Sequence, residues 1–366
     1  MPRTRPHLRA QPGDRPRAAV GVPLTAPRVG IVFDERFRLH AAPVPHPERP
    51  ERLAAIESHL GALGLTERCL RVPAREAQDA ELLAIHTRAH VDTVDATARR
   101  AFTQLDPDTY ASAASAEAAR LAAGGLVDLV RGVVAGTLSS GLALVRPPGH
   151  HAESDRAMGF CLFNNVAIAA RAAQENGAER ILIVDWDLHH GNGTQNSFWD
   201  DPSVLYVSTH QAPLYPGTGA IEETGGPAAA GRTINVPWPA GRGDADHLAA
   251  FDGVFLPAAR RFQPDVTIVS AGFDAARGDL LGSQLLSPGG YARMTERLRD
   301  LAAGRVVLAL EGGYTLEAIA ADAAACLESL LGDPPAEPEP GEASAVARSV
   351  LDEVIRTQRP HWPGVF

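Results

Sequence analysis

The residues best placed to do chemistry lie in Asp185-Trp186-Asp187-Leu188-His189-His190-Gly191-Asn192-Gly193, directly after the apolar run Ile181-Leu182-Ile183-Val184. Four aliphatic residues in a row predict a strand buried on both faces, as in a parallel sheet. Side chains alternate along a strand, so Asp185, Asp187 and His189 point the same way while the backbone stays extended. Two carboxylates and an imidazole at the carboxyl end of a strand stand where open α/β sheets bind ligands, and mixed O/N ligation suits zinc or a neighbouring divalent ion. Taken alone, the segment is equally well explained as a hydrogen-bonded polar turn.

Three further buried strands are expected to end on polar groups. Leu142–Val145 runs into Arg146-Pro147-Pro148-Gly149-His150-His151, Val266–Ser270 leads to Asp274, and Val306–Leu310 leads to Glu311-Gly312-Gly313-Tyr314. In a parallel sheet all carboxyl ends share one edge, so groups far apart in sequence can meet there. Asp187, His189 and Asp274 would make a three-ligand zinc site with a position left for water, the catalytic rather than the structural pattern. The His150/His151 pair could take and return a proton. Tyr314, on its Gly-Gly hinge, could donate to a carbonyl oxygen. Metal, base and oxyanion donor together specify hydrolysis of an amide or ester.

The elements that must position these groups follow from periodicity. Gly30–Asp34 reads as the first strand, with further strands at Val204–Val207 and Thr233–Val236. Helices are expected from Glu51 (Leu53, Ile56 and Leu60 on one face), over Ser112–Val134, Asn164–Asn176 and Pro288–Ala303, and over Asp244–Phe262 with Asp244 as the cap. Residues 1–28, rich in Arg and Pro, read as a disordered tail. A catalytic domain over 29–332 follows, then a Pro/Glu linker at 333–342. A C-terminal helix and tail at 343–366 would pack on the domain through Val346, Val350, Val354 and Trp362, a contact between copies being the alternative. Strands alternating with helices make this a single parallel α/β domain.

Composition narrows the function classes. The 366 residues, 45% apolar, allow a sizeable core, and the net charge of -10 argues against a dedicated nucleic-acid binder. All 34 basic residues are Arg, so the chain has no lysine side chain of its own to acylate. Cys69, Cys161 and Cys326 are widely spaced and form no CxxC pair, which fits a reducing, cytoplasmic setting. No apolar run reaches the roughly 18 residues of a membrane span. His86 and His90 have i, i+4 spacing but no HExxH carboxylate, so a surface helix is expected there. His190 is expected to be packed beside a ligand, His40 and His210 to bond within loops, and Trp186 and Trp238 to lie in the core.

The motifs RPPGHHA, GFCLFNN, DWDLHHGNGTQ, YPGTG, SAGFDAARGD and EGGY, with HPERPERL near the start, occur in an order that resembles the zinc-dependent histone deacetylases. The likeness runs from about Gly30 to Trp362 and is to the group shared by class II deacetylases and acetylpolyamine amidohydrolases. It implies the arginase/deacetylase fold, with a central parallel sheet of about eight strands between helices. It implies zinc on Asp187, His189 and Asp274, His151 as general base and acid, His150 as its electrostatic partner bonded to Asp185, and Tyr314 as stabiliser of the tetrahedral intermediate. It also implies a structural potassium ion held by Asp185, Asp187, His189, Ser208 and Thr209, partly through main-chain oxygens. Gly159, Phe160 and Tyr215 match the tunnel walls, Leu281 the residue that gates the tunnel, and Asp108 the position that grips the substrate backbone. Asn192 stands where class I enzymes carry Asp. Leu281 stands where polyamine-selective relatives carry Glu, which leans toward acyl-lysine in a protein or peptide over a small acylated amine. A protein of this fold that binds acyl-lysine without turnover is the alternative from another class, but a pure binder needs no general base.

Overall fold

The computed structural model describes residues 27–366, so most of the expected tail lies outside the described residues. Among the described residues ten strands form: β1 (Val29–Val32), β2 (Leu70–Arg71), β3 (Phe102–Asp106), β4 (Thr109–Ser112), β5 (Ser140–Ala143), β6 (Ile181–Asp185), β7 (Val204–Gln211), β8 (Thr233–Trp238), β9 (Val266–Ala271) and β10 (Val306–Leu310). Eight of them make one parallel sheet in the order β2-β1-β5-β10-β9-β6-β7-β8, while β3 and β4 form a separate antiparallel hairpin. The central strands are buried along their whole length, as runs without polar alternation require.

The strand order brings the site together. The chain steps outward from β6 through β7 to β8, then returns to lay β9 and β10 between β6 and β5. The four strands whose carboxyl ends carry His150/His151, Tyr314, Asp274 and Asp187/His189 are therefore consecutive neighbours, spaced at the roughly 4.8 Å of hydrogen-bonded strands.

Helices cover both faces, and several differ in detail from the sequence expectation. The helix over Ser115–Val134 packs its Ala/Leu/Val face on the helix Asn165–Glu175 and on the sheet. The segment Asp244–Phe262 is continuous, with one π turn at Phe251–Phe255, but Gly243 rather than Asp244 is its cap. Asp244 instead accepts from the Ser287 amide at 2.8 Å, so a tertiary contact outcompetes local capping. Strand β5 begins two residues earlier than expected, because small Ser140 and Gly141 pair with β1 while Leu144 and Val145 already belong to the loop.

The segment 333–342 has no regular structure but lies against the domain. Glu337 pairs with Arg293 at 2.7 Å, and the Glu339 amide donates to Asp244 at 2.7 Å. The last helix, Ala345–Gln358, packs beside β8. Its buried face is Ala347, Leu351, Val354 and Gln358; Val346, assigned to that face from sequence, is exposed. Trp362 is buried and its indole donates to the Gly231 carbonyl at 3.0 Å.

Candidate metal centre and tunnel

Asp187, His189 and Asp274 each offer one ligand atom, and these atoms lie within 4.8 Å of one another. His189 Nδ1 is 3.2 Å from Asp187 Oδ1 and 3.1 Å from Asp274 Oδ2. Ligands at about 2.0–2.1 Å from a tetrahedral centre stand roughly 3.3 Å apart, which is close to the two distances His189 makes here, so the donor set suits zinc. The remaining carboxylate oxygens are held by the main chain: Gly312 N–H donates to Asp187 Oδ2 at 2.8 Å and Leu188 N–H to Asp274 Oδ1 at 2.9 Å. The backbone comes so close that a Cβ at Gly272 would lie 2.0 Å from Asp187 Oδ2 and one at Gly312 2.3 Å from Asp274 Oδ2. Two buried carboxylates with one imidazole form a dianionic cradle for a divalent cation. Burial and the Asp187 charge push the Asp274 carboxyl above its ordinary value, while both carboxylates overcome burial to hold His189 above its own.

Below and beside this cluster stand the two histidines of the β5 loop. His150 Nδ1 lies 3.1 Å from Asp185 Oδ2, and its Nε2 is 3.8 Å from Asp187 Oδ1. Burial lowers the His150 pKa, but the carboxylates of Asp187, Asp185 and Glu311 outweigh it and hold the imidazole well above its ordinary value. His151 moves the other way: burial and the positive charges of His150 and His189 hold it well below. Its Nδ1 is 2.8 Å from Asn192 Oδ1.

His150, His151 and His189 line the inner end of a cavity of about 260 Å³. Gly159 and Phe160 make one wall, Tyr215 the other, and Leu281 stands at the rim. Phe160 has φ 68°, a left-handed conformation that costs a non-glycine residue energy. The hairpin β3–β4 fixes it, since Asp108 Oδ1 accepts from Gly159 N–H at 3.2 Å and Thr109 Oγ1 from Phe160 N–H at 2.9 Å. Asp108, expected to grip substrate, thus lines the mouth and also braces the wall. Tyr215 stands edge-on to His151 at 5.1 Å between centroids. Tyr314 faces the same cavity; burial and the Asp274 charge raise its phenol well above its ordinary value, which keeps it a neutral O–H donor.

Several residues that position these groups, Glu311 apart, end no buried strand and so carry no strand-end signal in the sequence. Arg52 is fully buried, donates to the carbonyls of Gly313 at 2.6 Å and Glu311 at 2.5 Å, and lies 5.0 Å from the Tyr314 ring centroid. Glu48 pairs with Arg52 at 3.0 Å and with the buried Arg146. Asp279 accepts from the amides of Tyr314 at 2.7 Å and Leu281 at 3.0 Å. Glu311 accepts from Gly149 N–H at 2.6 Å, and burial raises its carboxyl to about 7. Two signals were available: Glu48 and Arg52 sit in HPERPERL, and Asp279 ends SAGFDAARGD.

Other expectations divide. His190 bonds to Thr218 and Gln195 and His40 to Ser115, and Trp186 and Trp238 are core residues; His210 lies on β7 rather than in a loop and bonds to Ser208 and the Gly219 carbonyl. His86 and His90 do not lie on a surface helix: both are buried, His86 between the Glu153 carbonyl and the Asn164 amide, His90 against the Leu162 carbonyl. Their i, i+4 spacing serves loop packing. Ser208 and Thr209 lie buried on β7 beside Asp185, and the Thr209 hydroxyl has no hydrogen-bond partner.

Comparison with known proteins agrees with this geometry. A family profile described as "Histone deacetylase domain" matches residues 46–330. The chain is 49% identical over 347 residues to histone deacetylase 15 of Arabidopsis thaliana, covering 92% of this chain and 63% of the relative. It is 42% identical over 358 residues to histone deacetylase clr3 of Schizosaccharomyces pombe (91% and 52%) and 40% identical over 375 residues to human histone deacetylase 7 (91% and 39%). The chain thus spans between about two fifths and two thirds of the length of these relatives. The solved HDA15 HD domain superposes with a TM-score of 0.89 at 47% identity, over 93% of this chain and 98% of that one, which makes the eight-stranded sheet an arginase/deacetylase fold. The zinc-suited cradle, the tunnel above it and these likenesses converge: the chain belongs to the class II-like, zinc-dependent histone deacetylase family.

Proposed function

We propose that this chain removes an acetyl or other short acyl group from the ε-amine of lysine in a protein or peptide, with one zinc ion held by Asp187, His189 and Asp274. The observation that carries the reading is a three-ligand cradle on the floor of a narrow tunnel, within reach of two buried histidines and a tyrosine. When bound there, zinc would polarise the acyl carbonyl and make water a better nucleophile at neutral pH.

The chain's own residues supply the rest. The apolar walls Gly159, Phe160 and Tyr215 strip water from the methylene stem of the acyl-lysine and aim its amide at the floor. His151 keeps its Nδ1 on Asn192, which leaves Nε2 to take a proton and later return one to the leaving amine. His150, tied to Asp185, adds positive charge beside it. The Tyr314 hydroxyl donates to the oxygen that becomes negative as the carbonyl carbon turns tetrahedral. A potassium ion on Asp185, Asp187, His189, Ser208 and Thr209 belongs to the same proposal, supported by the buried Thr209 hydroxyl.

The Asp108 carboxylate at the mouth favours a second reading, an acylated polyamine whose free cationic end meets it. Leu281, neutral at the same rim, favours lysine. The test is a rate comparison on acetyl-lysine peptides and acetylated polyamines, before and after zinc is stripped and restored. Higher kcat/KM on the peptides, abolished by chelation and recovered with about one zinc per chain, is expected. Failure of the zinc-loaded protein to hydrolyse either substrate would overturn the proposal.

A further inference from the structure

Asn192 poses a problem that its carboxylate counterpart would not. An Asp offers His151 only acceptors, whereas an Asn amide can present either its oxygen or its NH2 group. With the oxygen toward Nδ1, neutral His151 carries its proton there and keeps Nε2 free for the tunnel. With the NH2 toward Nδ1, the proton moves to Nε2 and the histidine cannot act as a base. Something must hold the amide in one sense.

The surroundings of Asn192 supply it. Asn192 Nδ2 lies 2.6 Å from Glu153 Oε1, 3.3 Å from the His151 carbonyl and 3.6 Å from Met158 Sδ. All three are acceptors, so a turned amide would set its oxygen against a carboxylate. Glu153 is itself held: its N–H donates to the Arg156 carbonyl at 3.0 Å, its carbonyl accepts from His86 Nδ1 at 2.9 Å, and its carboxylate takes Asn196 Nδ2 at 2.9 and 3.1 Å. The otherwise unexplained burial of His86 thus serves the loop that carries Glu153.

We propose that Glu153 is a positioning residue that sets the Asn192 amide, and through it the Nδ1–H tautomer of His151. The proposal rests on His151 being the proton acceptor of the deacylation above. A charge-assisted hydrogen bond favours one amide orientation strongly enough to change its population by an order of magnitude or more.

The test reads the tautomer directly. In the full chain with 15N-labelled histidine, the His151 shifts should report a protonated Nδ1 and a bare Nε2. Glu153→Ala should give a mixed tautomer and about a 10-fold lower kcat, with KM within about twofold. Glu153→Gln, whose carbonyl can still accept from Asn192, should stay within about threefold of the parent even if the alanine variant disturbs the loop. Adding Asn192→Asp to Glu153→Ala should restore turnover, because a carboxylate has no wrong orientation. A single Nδ1–H tautomer in Glu153→Ala, a shifted tautomer with unchanged kcat, or no recovery in the double variant would each overturn the proposal. If no substrate is turned over, the deacylase reading fails, and the tautomer measurement still decides whether Glu153 sets His151.

Discussion

Replacing Arg52 with Met tests whether the tyrosine of the tunnel is held in place from behind. Arg52 is buried, bridges the carbonyls of Glu311 and Gly313 on either side of Gly312, and packs its guanidinium over Tyr314. Methionine keeps the volume but removes both carbonyl bonds and one of the two arginines that neutralise Glu48. Breaking a buried pair costs about 3–5 kcal/mol, and the surviving Arg146 places this case near the lower end, about 3 kcal/mol. For a domain of this size each kcal/mol is worth about 1.5 °C, so Tm should fall by about 4–5 °C. The larger effect should be on turnover. A reacting group misplaced by about 1 Å can cost about 100-fold, so kcat should drop by about 10- to 100-fold with KM little changed. Arg52→Lys restores a charge for Glu48 but not the planar fork, so it should recover stability better than turnover. The assay is steady-state hydrolysis of an acetyl-lysine peptide by folded protein, with zinc content measured in each variant. A methionine variant with normal zinc and kcat within about twofold of the parent would refute the reasoning.

Tyr314→Phe should lower turnover about 100- to 1000-fold while leaving Tm and zinc content unchanged, and unaltered turnover would remove the hydroxyl from the chemistry. Leu281→Glu should raise kcat/KM for acetylated polyamines relative to acetyl-lysine peptides; an unchanged ratio would mean that the rim does not set selectivity. Stability should fall as pH drops below about 6.5. Burial depresses His86 to about 3 and His247 to about 4, so the unfolded chain binds protons that the folded chain refuses. By pH 4 the two together could cost up to about 6 kcal/mol, an upper limit. Both His247 ring nitrogens lack partners, so His247→Leu should flatten the pH dependence of the urea midpoint without loss at pH 7, and an unchanged slope would exclude His247 as a source.

The centre was readable in sequence because buried parallel strands advertise themselves as unbroken aliphatic runs, and the polar residue ending such a run has few places to go. Asp187, His189, Asp274, His150, His151 and Tyr314 all follow such runs, and the structure brings them together. The order of the strands was not: nothing local to Val266–Ala271 or Val306–Leu310 says that they insert between β5 and β6. Arg52 escapes notice for a related reason: the carbonyls it holds lie about 260 positions away, and its own helix explains the surrounding Leu53, Ile56 and Leu60 without it. His86 and His90 were misplaced because a polar ring at helical spacing looks solvent-facing until a loop from another strand supplies its bonds. Asp244 shows the same contest on a smaller scale, a local capping signal overridden by Ser287 and Glu339.

The two histidines are consecutive in sequence and nearly in contact, with ring centroids 4.0 Å apart, yet they cannot play the same part. What separates them is the residue behind each Nδ1. His150 backs onto Asp185, a full negative charge at the end of β6, and lies among the carboxylates of Asp187 and Glu311, so charge accumulates on it. His151 backs onto Asn192, which accepts a hydrogen bond but carries no charge, and it lies against the positively charged ring of His150. A second aspartate would raise the proton affinity of His151 as Asp185 raises that of His150, so the two rings would differ less. The neutral amide instead divides the pair into a charged partner and a base. That division requires the amide to be oriented, so a carboxylate stands one step further out, at Glu153, where it can direct Asn192 without charging His151 directly.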